Sequence, residues 1–257
     1  MSRRIAFEGI DNFRDFGDYA AGPRRLKSGL LYRSAGHGGA TDADLEKLAA
    51  MNLAVIVDLR RANERERQPS RRWSGFAAQV IDNDIGQEAA DEWLTFIQGS
   101  DLAAKSFHDY MMEYYRKAPL QQRHLDLYTR YFRALADTEG AILVHCAAGK
   151  DRTGIACALT HHLAGVHDDD IVEDYLLTND AERLEKRLPT IREVIRESTG
   201  RVATDDALMV AMRVEPEYLE ESFRVMRETY GSLDGYLGQA LGLGADTRAR
   251  IHDRLLA

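Results

Sequence analysis

Short apolar runs alternate with amphipathic stretches over residues 1 to about 165. Residues 30–33 and 78–81 read as short strands. Residues 54–59 (AVIVDL) form a continuous apolar run, as expected of a strand covered on both faces. Residues 141–144 (AILV) give the clearest strand, with a glycine before it and a glycine-bearing loop after it. Thr41 is placed to cap a helix carrying Leu45, Leu48 and Met51 on one face. Strands separated by helices predict an α/β fold with a central, mainly parallel sheet flanked by helices.

The remainder has helical spacing. Residues 103–117 and 120–136 are amphipathic and are broken at Pro119. Beyond residue 168 nearly everything reads as helix, and Leu219, Phe223, Met226 and Tyr230 form one buried stripe. Residues 180–213 are rich in Arg and Glu, interrupted by Leu208, Met209 and Met212. That stretch reads either as a solvated helical face packed on the core or as a mobile cover over a site.

Composition narrows the class. A chain of 257 residues, 44% hydrophobic and 30% charged, has an ordinary globular make-up and can build a sizeable core. The net charge of −8 argues against a general nucleic-acid binder while leaving room for a local basic site. Two cysteines, Cys146 and Cys157, cannot make a disulfide framework or a four-cysteine zinc site, and they fit a reducing compartment. The two arginines near the start have no apolar segment behind them, and no run approaches the ~20 apolar residues of a spanning helix. The expectation is a cytoplasmic protein without stable membrane insertion, with secretion lacking a cleaved signal peptide as the alternative. Oligomeric state is not legible.

The chemistry concentrates in Val144-His145-Cys146-Ala147-Ala148-Gly149-Lys150-Asp151-Arg152-Thr153-Gly154. This segment follows the clearest strand and opens a helix bearing Ile155, Leu159 and Leu163. Backbone N–H groups of residues 147–152 can curl around an oxyanion, with the helix N-terminus behind them. The same donors favour the thiolate of Cys146. Arg152, six residues on, has a planar fork suited to two phosphoryl oxygens. Thr153 can offer its hydroxyl to the sulfur. Ala147, Ala148, Gly149, Lys150 and Thr153 are thus the candidate substrate-binding residues. A Walker A loop fails twice, because Val144 occupies the first glycine position and Asp151 follows Lys150. A zinc site is weak, since His145 and Cys146 are strand neighbours facing opposite ways. Cys157 reads as core, and His161-His162 as surface.

This C-x5-R-T pattern is the cysteine-phosphatase loop. HCAAGKDRTG resembles that of the bacterial tyrosine phosphatase family typified by the mycobacterial protein tyrosine phosphatase B. Asn12-Phe13-Arg14-Asp15, Leu31-Tyr32-Arg33-Ser34, Asp58-Leu59-Arg60, residues 110–116, 174–180 and 229–237 resemble further family blocks in order. Asp18 stands where many members have a second glycine. The resemblance implies one phosphatase domain over 1–257, with a helical lid drawn from the segment after the loop, here about 180–213. It implies substrates among phosphotyrosine, phosphoserine or phosphothreonine proteins and phosphoinositides. Lys150, a second cation beside Arg152, fits substrates with more than one phosphate, and Asp151 is similar to its counterpart in myotubularin lipid phosphatases.

The expected reaction is attack of Cys146 on phosphorus, with Arg152 and the loop amides holding the equatorial oxygens. No metal or other cofactor is called for, because the loop supplies the positive field. A carboxyl group must protonate the leaving oxygen. Asp151 ranks first, then Asp84, which the family places near the site, then Asp58, which can instead hold Arg14 or Arg33. A catalytically silent phosphoprotein-binding module and a sulfurtransferase are the alternatives; the intact Cys146, Arg152 and Thr153 argue against the first, Lys150 and the Arg-Thr-Gly run against the second.

Overall fold

The computed structural model describes residues 3–86 and 91–257. Its central sheet contains β1 (Arg14–Asp15), β4 (Leu31–Ser34), β5 (Leu53–Asp58), β6 (Gln79–Ile81) and β7 (Ala141–His145), in the order β1-β4-β7-β5-β6. The short β2 (Ala20–Ala21) and β3 (Arg24–Arg25) form a separate hairpin. β4, β7, β5 and β6 run parallel, and β1 adds an antiparallel edge. The four apolar runs are therefore strands, each within one residue of its expected bounds. The edge strand and the hairpin are two-residue elements, too short to leave a periodic signal.

Alternation along the strands explains why these runs are continuously apolar. Val55 and Val57 of β5 and Ile142 and Val144 of β7 join the larger core, while Ile56, Ala141 and Leu143 join a smaller one across the sheet. On the smaller side lies α1 (Asp42–Ala50), opened by a reciprocal capping box between Thr41 and Asp44. A short α2 (Ala62–Arg67) follows β5. On the larger side lie α4 (Ala104–Lys117), α5 (Gln122–Asp137), α6 (Asp151–Ala164), α7 (Asp168–Leu176) and α10 (Pro216–Tyr230). Pro119 sits in a 3-10 turn between α4 and α5, as the break in amphipathic pattern predicts.

The third cluster is separate and small. It joins α3 (Glu92–Gly99) and α4 to α8 (Ala181–Thr199) and α9 (Asp205–Met212) through Ile97, Phe107, Ile195, Ala207 and Leu208. The stretch 180–213 is therefore two helices that share a small core with α3 and α4.

Two expectations are corrected. His161 is fully buried, donates from Nε2 to the Phe16 carbonyl at 2.7 Å, and meets Phe16 and Tyr19 edge-on. Only His162 is partly exposed. The reason is that α6 is buried on nearly every side, so it has no broad solvent face. Asp58 holds neither Arg14 nor Arg33; both pair with Asp174, which arrives from α7. Asp58 instead grips Arg60, with contacts of 2.7–2.9 Å. Asp18 adopts φ +56°, the left-handed conformation that glycine accepts most readily.

Candidate active site

β7 delivers Cys146 at its end, and α6 begins at Asp151, so the intervening residues must turn sharply. Gly149 makes the turn at φ +63°; a Cβ there would lie 2.4 Å from the Ser34 carbonyl oxygen. The loop's carbonyls are held from outside. Ala147 O accepts the Gly36 N–H at 3.1 Å. Gly149 O accepts Asn12 Nδ2 at 2.8 Å and Arg33 Nη2 at 3.1 Å, and Ala148 O accepts Arg183 Nη2 at 3.3 Å. N–H and C=O point oppositely across each planar peptide, so this turns the loop's N–H groups toward its concave side.

A buried ion network keeps these outer donors in place. Asp174 takes Arg33 Nη1 at 2.8 Å and Arg14 Nε at 3.3 Å, and Arg14 Nη1 in turn holds Asn12 Oδ1 at 2.6 Å. Burial pushes the Asp174 carboxyl up, but the two guanidiniums outweigh it and hold the group down at about 2. The blocks around Asn12, Arg33 and Asp174 thus meet behind the loop.

Arg152 faces Glu64 of α2 in a two-pronged pair, Nη1–Oε2 at 2.5 Å and Nη2–Oε1 at 2.8 Å. Its Nη1 also reaches the Leu59 carbonyl at 3.2 Å. Burial alone would favour neutral forms of both groups; their mutual attraction holds Glu64 down at about 2 and raises Arg152 well above its ordinary value. The guanidinium plane is therefore fixed before any ligand enters. No sequence motif marks Glu64 as a site residue; the only local signal is its place three residues after Arg61 at the start of a short helix.

The loop floors a cavity of about 300 Å³. Ala147, Ala148, Lys150, Asp151 and Arg152 line it, along with Tyr110, Met111 and Tyr114 of α4 and Trp93 of α3. Arg183, Arg187 and Ile191 of α8 and Met212 of α9 complete the wall, which puts the segment 180–213 over the site. Among the described residues, seven cationic and four carboxylate side chains line this cavity, so a basic site does exist within an acidic chain. Cys146 itself is buried, at 1% exposure.

The remaining candidates fall differently. Lys150 Nζ donates to the carbonyls of Ala211 at 2.7 Å and Arg213 at 3.2 Å, at the C-terminal end of α9. Burial lowers its pKa against the opposing pull of Asp151. Asp151 lines the cavity and accepts a hydrogen bond from Tyr115 at 2.8 Å. Thr153 Oγ1 is buried but makes no hydrogen bond among the described residues, so the expected bond to the sulfur is not formed here. Asp84 is not brought to the cavity; its side chain is 59% exposed and pairs with Arg65. Asp58, 2% exposed, is pinned beneath by Arg60 and faces the buried His145 at 3.6 Å. Cys157 is core, and burial pushes its thiol up to about 12.

A thiol at a strand end, a loop with outward-drawn carbonyls and a fixed arginine stand together on an α/β scaffold of the cysteine-phosphatase kind. The tyrosine phosphatase family model matches residues 5–257, and the chain belongs to that family. It is 31% identical over 278 aligned positions to the triple specificity protein phosphatase PtpB of Mycobacterium tuberculosis, covering 96% of this chain and 97% of that one. It is 32% identical over 241 positions to a Cupriavidus necator protein whose name designates it a tyrosine-protein phosphatase, covering 92% of this chain and 84% of the relative. A tyrosine-protein phosphatase of Nostoc commune matches at 35% over 155 positions, 60% of this chain and 49% of that one. Among the described residues, no helix is long and apolar enough to cross a membrane.

Proposed function

We propose that the protein hydrolyses phosphate monoesters in two steps through a cysteinyl-phosphate on Cys146. The observation that carries this reading is the Arg152–Glu64 pair at 2.5 and 2.8 Å beside a loop whose carbonyls are drawn outward. Cys146 attacks phosphorus, and the bond to the leaving oxygen breaks. Arg152 and the N–H groups of the loop hold the equatorial oxygens in pre-set positions. Asp151 gives the leaving oxygen its proton and then takes one from the attacking water. Of the three aspartates considered, Asp151 alone lines the cavity, while Asp84 points into solvent and Asp58 is locked to Arg60. A sulfurtransferase reading has no comparable use for a fixed guanidinium.

The substrate range we infer is broad, covering phosphotyrosine, phosphoserine or phosphothreonine proteins and phosphoinositides. Trp93, Tyr110 and Tyr114 give an aryl ring an apolar wall. The surplus of cations favours esters carrying further negative charge. Segment 180–213 acts as the lid, and Lys150 serves two states. Its ammonium holds the α9 carbonyls in the present arrangement, and would be free for a second phosphate once that segment lifts. A rate comparison on one preparation tests this breadth. Phosphotyrosine peptide, phosphothreonine peptide and a phosphoinositide should all be turned over within about two orders of magnitude in kcat/KM, a span of ~2.7 kcal/mol. Turnover of phosphotyrosine alone would reduce the range to a strict tyrosine phosphatase.

A further inference from the structure

The proposed acid, Asp151, is held by a residue that does not line the cavity. Tyr115 of α4 is fully buried, and its hydroxyl donates to Asp151 Oδ1 at 2.8 Å. The same hydroxyl lies 2.6 Å from that of Tyr175 of α7, which is 1% exposed. Each hydroxyl has one hydrogen. Tyr115 spends its hydrogen on the carboxylate, so Tyr175 must donate to the Tyr115 oxygen. The chain therefore runs in one direction, Tyr175 to Tyr115 to Asp151. Burial keeps both phenols well above their ordinary titration range, so both remain donors.

The anchor is rigid. The Tyr115 ring stacks on Tyr218 of α10 at 5.5 Å, and its carbonyl accepts Ser222 Oγ at 2.7 Å. Tyr175 fits because residue 154 is glycine; a Cβ there would come within 2.8 Å of the ring. Lys150 Nζ also approaches Oδ1, at 3.5 Å. Both contacts fall on one carboxylate oxygen.

We propose that Tyr115, backed by Tyr175, is a positioning residue that fixes Oδ1 of Asp151 and thereby presents Oδ2 to the leaving group. The inference rests on the reading of Asp151 as the acid. In the first step the bond from phosphorus to the leaving oxygen breaks as the Oδ2 proton moves to that oxygen. In the second, water attacks phosphorus and gives its proton to Oδ2 as the bond from phosphorus to the Cys146 sulfur breaks, releasing inorganic phosphate and the free cysteine. Fixing one oxygen selects which one transfers the proton and removes the torsional search before each transfer.

The test is the dependence of rate on leaving group in Tyr115→Phe, which keeps the ring stack. Substituted phenyl phosphates from p-nitrophenyl to unsubstituted phenyl span the need for protonation. The variant should lose roughly tenfold more kcat/KM on phenyl than on p-nitrophenyl phosphate, part of the 10²–10⁴ typical of general acid catalysis. Tyr175→Phe should change the slope in the same direction by less. Inhibition by inorganic phosphate should be unchanged in both, which also reports an intact loop. Asp151→Asn is the reference, and adding Tyr115→Phe to it should produce no further change of slope. An equal loss on all esters, or a slope change that persists in the Asp151→Asn background, would overturn the positioning role while Asp151 remained the acid. A flat slope in Asp151→Asn itself would remove the acid reading and this inference together.

Discussion

In the proposed reaction Arg152 is useful only while its guanidinium plane is held in place, and Glu64 is what holds it. Glu64→Gln keeps the size and one hydrogen-bond acceptor but removes the charge. The variant should lose about 10- to 100-fold in kcat/KM, or ~1.4–2.7 kcal/mol of transition-state stabilisation. The pair also carries a pH signature. Its carboxyl is depressed to about 2, so the stabilisation is complete above the ordinary carboxylate range and is lost as pH falls toward 2. Melting temperature measured between pH 5 and pH 3 should fall less steeply in Glu64→Gln than in the parent. An identical acid slope would show that the pair contributes nothing to the folded state. The loop residues themselves were legible in the sequence, because adjacent chain positions carry the whole pattern. The roles of Glu64, Asn12, Arg33 and Asp174 are not legible there. Their contacts join residues up to 166 positions apart, and no local spacing records such a meeting. Asp58 shows the hazard in reverse: it ends a strand beside the loop, yet the nearer Arg60 claims it.

At the level of elements, the parallel strands were readable because burial on both faces forces unbroken apolar runs. The Pro119 break was readable for a similar reason, since proline interrupts the hydrogen-bond ladder. Segment 180–213 was harder. Pro189 lies inside α8, and the break between α8 and α9 spans only residues 200–204. The fold gives this pair of helices a small cluster with α3 and α4, separate from the core around the sheet. Ion pairs from Arg61 to Glu92 and Arg67 to Asp91 tie α3 to α2 at 3.0 Å each, with partly or largely exposed side chains. Such pairs are individually weak, commonly about 0–1 kcal/mol. Lys150 adds a buried tie to the end of α9. The lid account therefore predicts that amides of 205–213 exchange with deuterium well before those of β7, and that Lys150→Ala accelerates them further. Exchange in α9 as slow as in β7, unaltered by the substitution, would show a fixed wall.

Over the whole molecule, charge is distributed against its average. The chain carries −8, yet the cavity concentrates cations around the loop. An anionic ester is thus repelled by the bulk and attracted by the site, which confines productive binding to one place. Cys157 stands apart from this concentration, and its burial in α6 holds it as a thiol. In the proposed reaction all these arrangements serve one event, transfer of the phosphoryl group to a single sulfur. The most direct test is to mix the enzyme with an aryl phosphate, quench with acid within the first turnover, and map the phosphoryl group by mass spectrometry. The account predicts one added phosphoryl group on the peptide containing Cys146, none on Cys157, and none anywhere in Cys146→Ser, which should also lose turnover. A phosphoryl group on another residue, or sustained hydrolysis by Cys146→Ser, would contradict it.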